Sequence, residues 1–303
     1  MKSYKGIKPD IKELLSYRYR AKALKLFANQ KVNSVNSGSK ASKAKGRGMD
    51  FDEVRHYQPG DDIRLMHWSL TARLGKPYTK VYHEERERTL YFVVDQSTTM
   101  RFGTRECFKS VKVANATALI GFGALEAHEK VGGVIFEDDG YSFYPAKQDK
   151  SALVKMLNHV TTDNKEPQIA TDKGLAAALK FLYAKARTNS VIVVMGDFDG
   201  FDLEAQQYLK LLAKKNEIIN IFSYDPLEKE LPAKDIYNFS DGQDNLVFDA
   251  ANTKQYKVYK DIYNARHNTI KDFSRQYQMA FFEIATNDDL VKTINYGVAG
   301  HAT

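Results

Sequence analysis

The chain has 303 residues, a formal net charge of +7 and 43% hydrophobic residues, which is typical of a folded globular protein with one large domain, or one domain and an extension. No stretch approaches the ~20 uninterrupted apolar residues of a membrane-spanning helix, and the N-terminus lacks the apolar stretch of a secretory signal. A single cysteine, Cys107, excludes an internal disulfide and a zinc site built on thiolates, so we expect a soluble, cytoplasmic protein.

The positive charge is concentrated at the N-terminus. Residues 1–50 contain 13 Lys or Arg against 3 Asp or Glu, so the other 253 residues have a net charge of −3. Apolar residues recur at helical spacing from Pro9 to Gln30, and Asn33 to Gly48 is rich in Ser, Asn, Gly and Lys. We therefore predict a basic helix and flexible linker over residues 1–47. A solvated arm is the simplest interpretation, and contact with nucleic acid, a membrane surface or an acidic partner is the alternative.

Residues 48–88 are densely charged and include the single tryptophan, Trp68, with turn signals at Pro59-Gly60 and Gly75-Lys76-Pro77. Periodicity is poor until "PYTKVYHE", which alternates as a strand does. We predict that ion pairs and aromatic anchors pack this segment on the domain that follows it. Four charged residues are expected to hold it there or to form a docking surface: Asp61, Asp62, Arg64 and Arg73. Histidines 56, 67 and 83 lack metal-site spacing and are interpreted as surface or packing residues.

Beyond Arg88 the pattern alternates between strands and amphipathic helices. Four continuous apolar runs predict buried strands, namely "TLYFVVD", "SVIVVMGD", "EIINIFSYD" and "MAFFEIA", and "VGGVIF" with "YSFYPA" predicts a hairpin. The helices between them are predicted at about 108–127, 150–160, 173–186, 203–215, 253–276 and 288–294, with Thr253 as a cap. Residues 89–303 therefore predict an α/β domain with a doubly wound, mostly parallel sheet and the hairpin as its antiparallel edge.

Asp95 and Asp197 stand at the carboxyl ends of the first and second buried strands, and Asp95 is followed by Ser97 and Thr99. In such sheets ligands bind beyond the carboxyl ends of the strands. Hydroxyl and carboxylate oxygens without nitrogen or sulfur are the ligand set of a hard divalent cation such as Mg²⁺. The alternative is that these residues only cap the helix that follows, because Asp, Ser and Thr are preferred N-caps.

Three elements of this pattern, "DQSTTM", Thr171 and "GDFD", resemble the metal-ion-dependent adhesion site of von Willebrand factor A domains. Residues 48–87 resemble the signature of the bacterial domain of unknown function 58 family, whose members have such a domain, and "SYDPLEKELP" also matches its pattern. The resemblance covers about residues 46–295. It implies a von Willebrand A-like fold over residues 89–303 and a Mg²⁺ or Mn²⁺ site in which the hydroxyls bind directly and the carboxylates partly through water. The implied ligands are Asp95, Ser97, Thr99, Thr171 and Asp197.

Three positions depart from the family pattern. Thr99 stands where Ser is usual and keeps the oxygen, His67 stands where Asp is common, and Gly196 stands where Ser is frequent. We expect Asp199 and Asp202 to complement the start of a helix rather than bind the ion. Cys107 is expected to be a small packing residue on a helix.

Function is predicted from the same features. Family members are often encoded beside a MoxR-type AAA+ ATPase, so the resemblance implies a non-enzymatic, metal-dependent module that binds an acidic residue of such a partner. The sequence contains no P-loop, no G-x-S-x-G elbow and no G-x-G-x-x-G after a strand. Two alternatives stay open: a Mg²⁺-dependent phosphoester hydrolase, and a nucleic-acid or membrane-surface adaptor acting through the basic N-terminus. Nucleic acid is the less favoured partner, because no aromatic and basic platform for bases is visible.

Overall fold

A computed structural model describes residues 6–24, 49–84, 88–162, 167–169, 173–232, 236–240, 245–249 and 252–299. The chain forms two compact units: residues 34–87, called the hairpin unit, and residues 1–33 with 88–303, called the sheet unit. The predicted division into residues 1–47, 48–88 and 89–303 stays a prediction. Among the described helices, none combines the length and the apolar composition needed to cross a membrane.

The described strands and helices have the following bounds. The strands are β1 (Met49–His56), β2 (Tyr78–Glu84), β3 (Thr89–Asp95), β4 (Lys130–Glu137), β5 (Gly140–Lys147), β6 (Val191–Gly196), β7 (Glu217–Tyr224), β8 (Ile236–Ser240), β9 (Asn245–Asp249) and β10 (Ala280–Ala285). The helices are α1 (Ile11–Arg20), α2 (Trp68–Leu74), α3 (Lys109–Glu126), α4 (Ser151–Thr161), α5 (Gly174–Lys185), α6 (Leu203–Ala213), α7 (Pro226–Lys229), α8 (Thr253–Gln276) and α9 (Leu290–Ala299).

The sheet unit is built on a six-stranded sheet with the order β10-β7-β6-β3-β4-β5. Every neighbouring pair is parallel except β4 with β5, which form an antiparallel hairpin at one edge. The predicted mostly parallel sheet with an antiparallel edge, flanked by helices, is therefore confirmed. Helices α3 and α6 are the crossover connections from β3 to β4 and from β6 to β7, which is the arrangement that continuous apolar runs separated by helices require.

The central strand β3 is buried along its whole length. Successive side chains of a strand point to opposite faces of the sheet, so Phe92 and Val94 join one apolar cluster while Tyr91 and Val93 join the other. The first cluster also includes residues of α1, α3, α4 and α9, and the second includes residues of α5, α6 and α8. Each fully buried large side chain contributes roughly 1.5–3 kcal/mol to the stability of the fold. The two clusters therefore fix the sheet between its layers of helices.

The hairpin unit pairs β1 with β2 antiparallel, with an irregularity between Phe51 and Glu53. A 3₁₀ turn at Ile63–Leu65 and helix α2 lie between the two strands. Strand β2 confirms the prediction from "PYTKVYHE", whereas β1 and α2 were not predicted. The sequences of these two elements have no regular apolar period, because hydrogen bonds and turn residues, rather than a buried face, hold this region in shape.

Several predicted elements differ from the structure. Helix α1 ends at Arg20 rather than Gln30, because a 3₁₀ turn follows and Leu24 is extended. The cap of α8 is Asn252, whose side chain accepts hydrogen bonds from two backbone N–H groups, rather than Thr253. The antiparallel pair β8 and β9 was not predicted. The predicted linker at residues 33–48 lies outside the described residues.

Candidate metal site at the carboxyl edge of the sheet

Asp95 is the last residue of β3 and its side chain is buried with only 3% exposure. Its Oδ1 atom accepts a hydrogen bond from the backbone N–H of Ser97 at 2.9 Å and another from the Ser97 hydroxyl at 2.6 Å. The Ser97 hydroxyl oxygen lies 3.1 Å from Oγ1 of Thr99. The structure therefore brings three of the predicted ligands into one connected group of oxygens.

These hydroxyls do not cap a helix. Ser97 precedes a single 3₁₀ turn, Thr98–Met100, and makes no side-chain capping hydrogen bond there. The first α-helix after β3 begins only at Lys109, and its N-cap position is occupied by Phe108. The interpretation of "DQSTT" as helix capping alone is therefore wrong, because the Ser97 hydroxyl donates to Asp95 instead.

The electrostatic environment of Asp95 disfavours its charged form. Burial, with the nearby charge of Asp197 adding to it, raises the pKa of Asp95 to about 7, although the hydrogen bonds from Ser97 and the charge of Lys109 act in the opposite direction. In the described part of the chain, no salt bridge joins a cationic side chain directly to Asp95. Asp95 is thus a buried carboxylate that an added positive charge would stabilise.

Asp197 lies directly after β6, which is the parallel neighbour of β3, and is fully buried. Lys109 donates to Oδ2 of Asp197 at 2.8 Å and to Oε1 of Glu228 at 2.8 Å. The Arg266 guanidinium lies 3.5 Å from each of the same two carboxylates. Lys109, Asp197, Glu228 and Arg266 are here called the charge cluster.

Within the charge cluster, Lys109 and Arg266 balance Asp197 and Glu228, and Arg266 also lies 3.6 Å from the exposed carboxylate of Asp199. Burial acts to raise the pKa of Asp197, but the charges of Lys109 and Arg266 outweigh it and hold that pKa below its usual value. Lys109 is only 1% exposed, so its ammonium group depends on these partners for compensation. The two neighbouring carboxylates therefore differ: Asp197 has a cationic partner inside the protein, and Asp95 has none among the described residues.

Gly196, the last residue of β6, is pressed against Asp95. A Cβ atom added at Gly196 would lie 2.7 Å from both Cβ and Oδ2 of Asp95. The departure from the family's frequent Ser at this position therefore has a steric basis in this chain, because any side chain there would push Asp95 away.

The loops around the site are fixed by two further carboxylates. Asp138, in the turn between β4 and β5, accepts hydrogen bonds from the backbone N–H of Thr98 at 3.0 Å and from the Thr98 hydroxyl. Asp225, after β7, accepts from Thr104 and Thr286 and caps α7 in a capping box with Glu228. The family motif "SYDPLEKELP" thus places Glu228 in the charge cluster.

The oxygens present fit a hard divalent cation in part. Asp95, Ser97 and Thr99 would hold it, and Asp197 fits better as an outer contact through water, because Lys109 already occupies one of its oxygens. Thr171 lies outside the described residues, so its place in the site stays a prediction. Nowhere in the described ranges do three or more His, Cys, Asp or Glu side chains form a metal-binding group, so a metal here relies on hydroxyl ligands.

Other predicted residues have structural roles. Asp202 caps α6 by accepting from the backbone N–H of Ala205 at 2.8 Å, as expected. Nδ1 of His67 accepts from the backbone N–H of Leu70 at 3.2 Å, so this residue is the N-cap of α2. Cys107 precedes α3 rather than lying on it, and its thiol donates to the carbonyl of Thr286.

Sequence reasoning missed Lys109 and Arg266. The available signal was a pair of lysines, Lys109 and Lys112, at the start of an otherwise apolar helix that is buried on all sides. A buried lysine needs an acidic partner, and the two strand-end aspartates were the obvious candidates. Arg266, on a polar helix, gave no such signal.

Comparison with known proteins gives a consistent family match. The model of a family described as protein of unknown function DUF58 matches residues 53–269. Uncharacterized proteins of Mycobacterium bovis and Mycobacterium tuberculosis are 31% identical to this chain over 212 residues, which is 70% of this chain and 66%, just under two thirds, of each relative. The conserved hypothetical protein BatB from Bacteroides thetaiotaomicron, a solved structure, aligns with a TM-score of 0.45 and 13% identity over 71% of this chain and 98% of its own.

Proposed function

This chain belongs to the DUF58 family of proteins of unknown function, and we propose that it is a non-enzymatic module that binds a partner protein through a divalent metal ion. In this proposal the sheet unit is a von Willebrand A-like domain and the ion is Mg²⁺ or Mn²⁺. Asp95, Ser97 and Thr99 hold the ion, Asp197 supports it through water, and Thr171 completes the set.

The observation that supports this proposal most is the state of Asp95. It is buried at the end of a central strand, next to another carboxylate, and its hydrogen bonds within the described residues come from Ser97 alone. Leaving a buried carboxylate without a cation is costly. A divalent ion at this point would offset that cost and would use the two hydroxyl oxygens that have no capping role.

The ligand set also suggests what the ion would offer. Hydroxyls are neutral ligands and the negative charge of Asp197 is already balanced by Lys109, so the ion would keep net positive charge. When bound, it would supply an open coordination position suited to a carboxylate of a partner protein. The resemblance described above suggests a MoxR-type AAA+ ATPase as that partner, with assembly or remodelling of other proteins as the shared task.

The test compares Asp95→Asn with Asp202→Asn, which changes a helix cap instead of the site. We expect the wild type and Asp202→Asn to bind Mg²⁺ in calorimetry and to capture a purified MoxR-type ATPase only without chelator. Asp95→Asn should do neither, while its fold is retained because the substitution removes a buried charge and keeps the shape. If Asp95→Asn captures the ATPase equally well in the presence of chelator, the metal bridge is wrong.

A hydrolytic role would give a different result. Mg²⁺-dependent turnover of a generic phosphodiester by the wild type, lost in Asp197→Asn, would replace the binding module with an enzyme. We expect no turnover above background in either protein.

A further inference from the structure

The tip of the hairpin unit, residues 57–77 between β1 and β2, is held in shape by polar contacts. Asp61 accepts hydrogen bonds from the Arg55 side chain at 2.7 Å and from the backbone N–H of Gln58 at 2.9 Å. The backbone N–H of Tyr78 donates to the Thr71 hydroxyl at 3.0 Å, and that of Tyr57 donates to the carbonyl of Pro77 at 2.9 Å. No residue from 57 to 77 is buried, so the tip is ordered by hydrogen bonds without an apolar core of its own.

Four large apolar side chains on this tip face solvent. Their exposed fractions are 62% for Trp68, 60% for Ile63, 49% for Leu74 and 37% for Leu65. A single exposed apolar residue is ordinary, but several grouped within twelve consecutive residues of an ordered segment mark an interaction surface. Because the polar contacts already fix the backbone, little conformational entropy is lost when this surface docks.

The tip contains two aspartates and three cationic residues. Asp61 pairs with Arg55, and Asp62 caps the 3₁₀ turn by accepting a hydrogen bond from the backbone N–H of Arg64. From Ile63 to Lys76 the charged residues are Arg64, Arg73 and Lys76, with no Asp or Glu among them, and all three are exposed. Exposed Trp, Ile and Leu side chains beside Arg and Lys form the composition that binds at the interface of an anionic bilayer, where the rings and aliphatic groups enter the headgroup region and the cations meet lipid phosphates.

We infer that the tip of the hairpin unit is a docking surface for an anionic lipid membrane, with Trp68 and Ile63 entering the interface and Arg64, Arg73 and Lys76 contacting headgroup phosphates. A lipid surface is favoured over an acidic protein because the chain offers a second signal of the same sign. Residues 34–48, which precede β1 in the sequence, include Lys40, Lys43, Lys45 and Arg47 and no Asp or Glu. Stable peripheral binding takes two such signals, and an apolar anchor together with a polybasic sequence in the same chain provides them.

Trp68 is the single tryptophan of the chain, so tryptophan fluorescence reports on the tip. We would titrate the full chain with vesicles of phosphatidylcholine and phosphatidylglycerol in equal parts, and with vesicles of phosphatidylcholine alone, and follow Trp68 emission and co-sedimentation. We expect a blue shift and co-sedimentation with the anionic vesicles, both reversed by high salt. Neither should occur with phosphatidylcholine alone.

Two variants keep the reporter and separate the contributions. Ile63→Ser should weaken partitioning about tenfold through loss of apolar contact, whereas Ile262→Ser, which removes an isoleucine of 64% exposure on α8, should not change it. The triple variant R64Q/R73Q/K76Q should weaken partitioning by about a hundredfold, at roughly fivefold for each cation near an anionic surface.

Absence of binding to anionic vesicles would overturn the inference. Equal loss in Ile63→Ser and Ile262→Ser would also overturn it, because the effect would then not belong to the tip. Binding of Mg²⁺ at Asp95 is not involved in either experiment, so the outcome is independent of the proposed metal site.

Discussion

Asp95 ends β3 and Asp197 directly follows the adjacent parallel strand β6, but their carboxylates have different partners. Asp197 has Lys109 at 2.8 Å and Arg266 at 3.5 Å, while Asp95 has only Ser97 as its partner among the described residues. Three carboxylates, Asp95, Asp197 and Glu228, carry three negative charges against the two positive charges of Lys109 and Arg266, which leaves one negative charge to be neutralised. The proposed ion and the proton on Asp95 are alternative ways to neutralise it.

Lys109 should be essential for stability, because its ammonium group is the partner of two carboxylates in the charge cluster. Lys109→Met would leave Asp197 and Glu228 without their ammonium partner, and breaking a buried ion pair on one side costs about 3–5 kcal/mol. Lys112 is a matched control: it is also buried, but its ammonium group donates to the neutral carbonyl of Asp288. Urea unfolding should show a clearly smaller loss for Lys112→Met, and equal losses would contradict the role given to Lys109.

Gly196 should tolerate no side chain. Gly196→Ala places a Cβ atom 2.7 Å from Cβ and Oδ2 of Asp95, and relief of such crowding in a packed region typically costs about 1–3 kcal/mol. Because Asp95 must move, the affinity of the proposed metal site for Mg²⁺, measured by calorimetry, should fall as well. A volume-conserving change of the preceding buried residue, Met195→Leu, should leave Mg²⁺ affinity unchanged; a Gly196→Ala protein with wild-type stability and affinity would show that the site is looser than described.

At the scale of elements, Asp225 joins three segments that are distant in sequence. Its carboxylate accepts from the backbone N–H and the hydroxyl of Thr104, from the hydroxyl of Thr286 and from the backbone N–H of Leu227. The loop after β3, the start of α7 and the end of β10 therefore meet at one buried side chain. Glu228, held by the same capping box, is thereby positioned for the charge cluster.

Replacing Asp225 should cost far more than removing an ordinary helix cap. Asp225→Ala removes four accepted hydrogen bonds at a fully buried position, and we expect a loss of about 3–5 kcal/mol in the free energy of unfolding. Asp202→Ala removes one capping bond, to Ala205, and should cost about 1 kcal/mol. Chemical denaturation of both variants measures the difference. Similar losses would mean that the three segments are held together by packing alone.

At the scale of the whole molecule, Glu129 contributes to the pH dependence of stability, in addition to Asp95, whose pKa is also raised. Glu129 is 5% exposed between α3 and β4, and its Oε2 has no hydrogen-bond partner in the described part of the chain. Burial is the main cause that raises its pKa to about 7, opposed by Arg88 and assisted by Glu217. In the unfolded chain the pKa returns to its ordinary value of 4.5.

The folded-state pKa is the higher of the two, so the folded protein binds the proton more tightly. The contribution of Glu129 to the free energy of unfolding is fully present below about pH 4.5 and is lost as the pH rises through about 7. The loss is on the order of 3 kcal/mol, from about 1.4 kcal/mol for each pH unit of difference. Between pH 5 and pH 8, Glu129→Gln should lose much less stability than the wild type in urea unfolding, whereas Glu126→Gln, at an exposed position, should follow the wild type. Parallel curves for Glu129→Gln and the wild type would contradict this assignment.

Much of the sheet unit was predictable from local patterns. Strands buried on both faces appear as continuous apolar runs that stop at a polar residue. For this reason β3, β6, β7 and β10, and most of the helices between them, were identified from the sequence with small errors at their ends. Residues without that pattern were missed: β8 and β9 are short, and β1 and α2 depend on turns and side-chain hydrogen bonds. Helix α1 was predicted too long, because its apolar spacing continues beyond the point where the backbone becomes extended.

For the candidate site, sequence alone placed Asp95, Ser97 and Thr99 together, since the end of one strand and its tight loop are local in the chain. Tertiary structure decided which carboxylate is neutralised. Lys109 reaches Asp197 across 88 positions and Glu228 across 119, and no local period specifies pairs so far apart. The folded geometry selects the partner of a buried charge. In the interior the charged group has lost its hydration, so a single nearby opposite charge stabilises it, whereas in the unfolded chain water does.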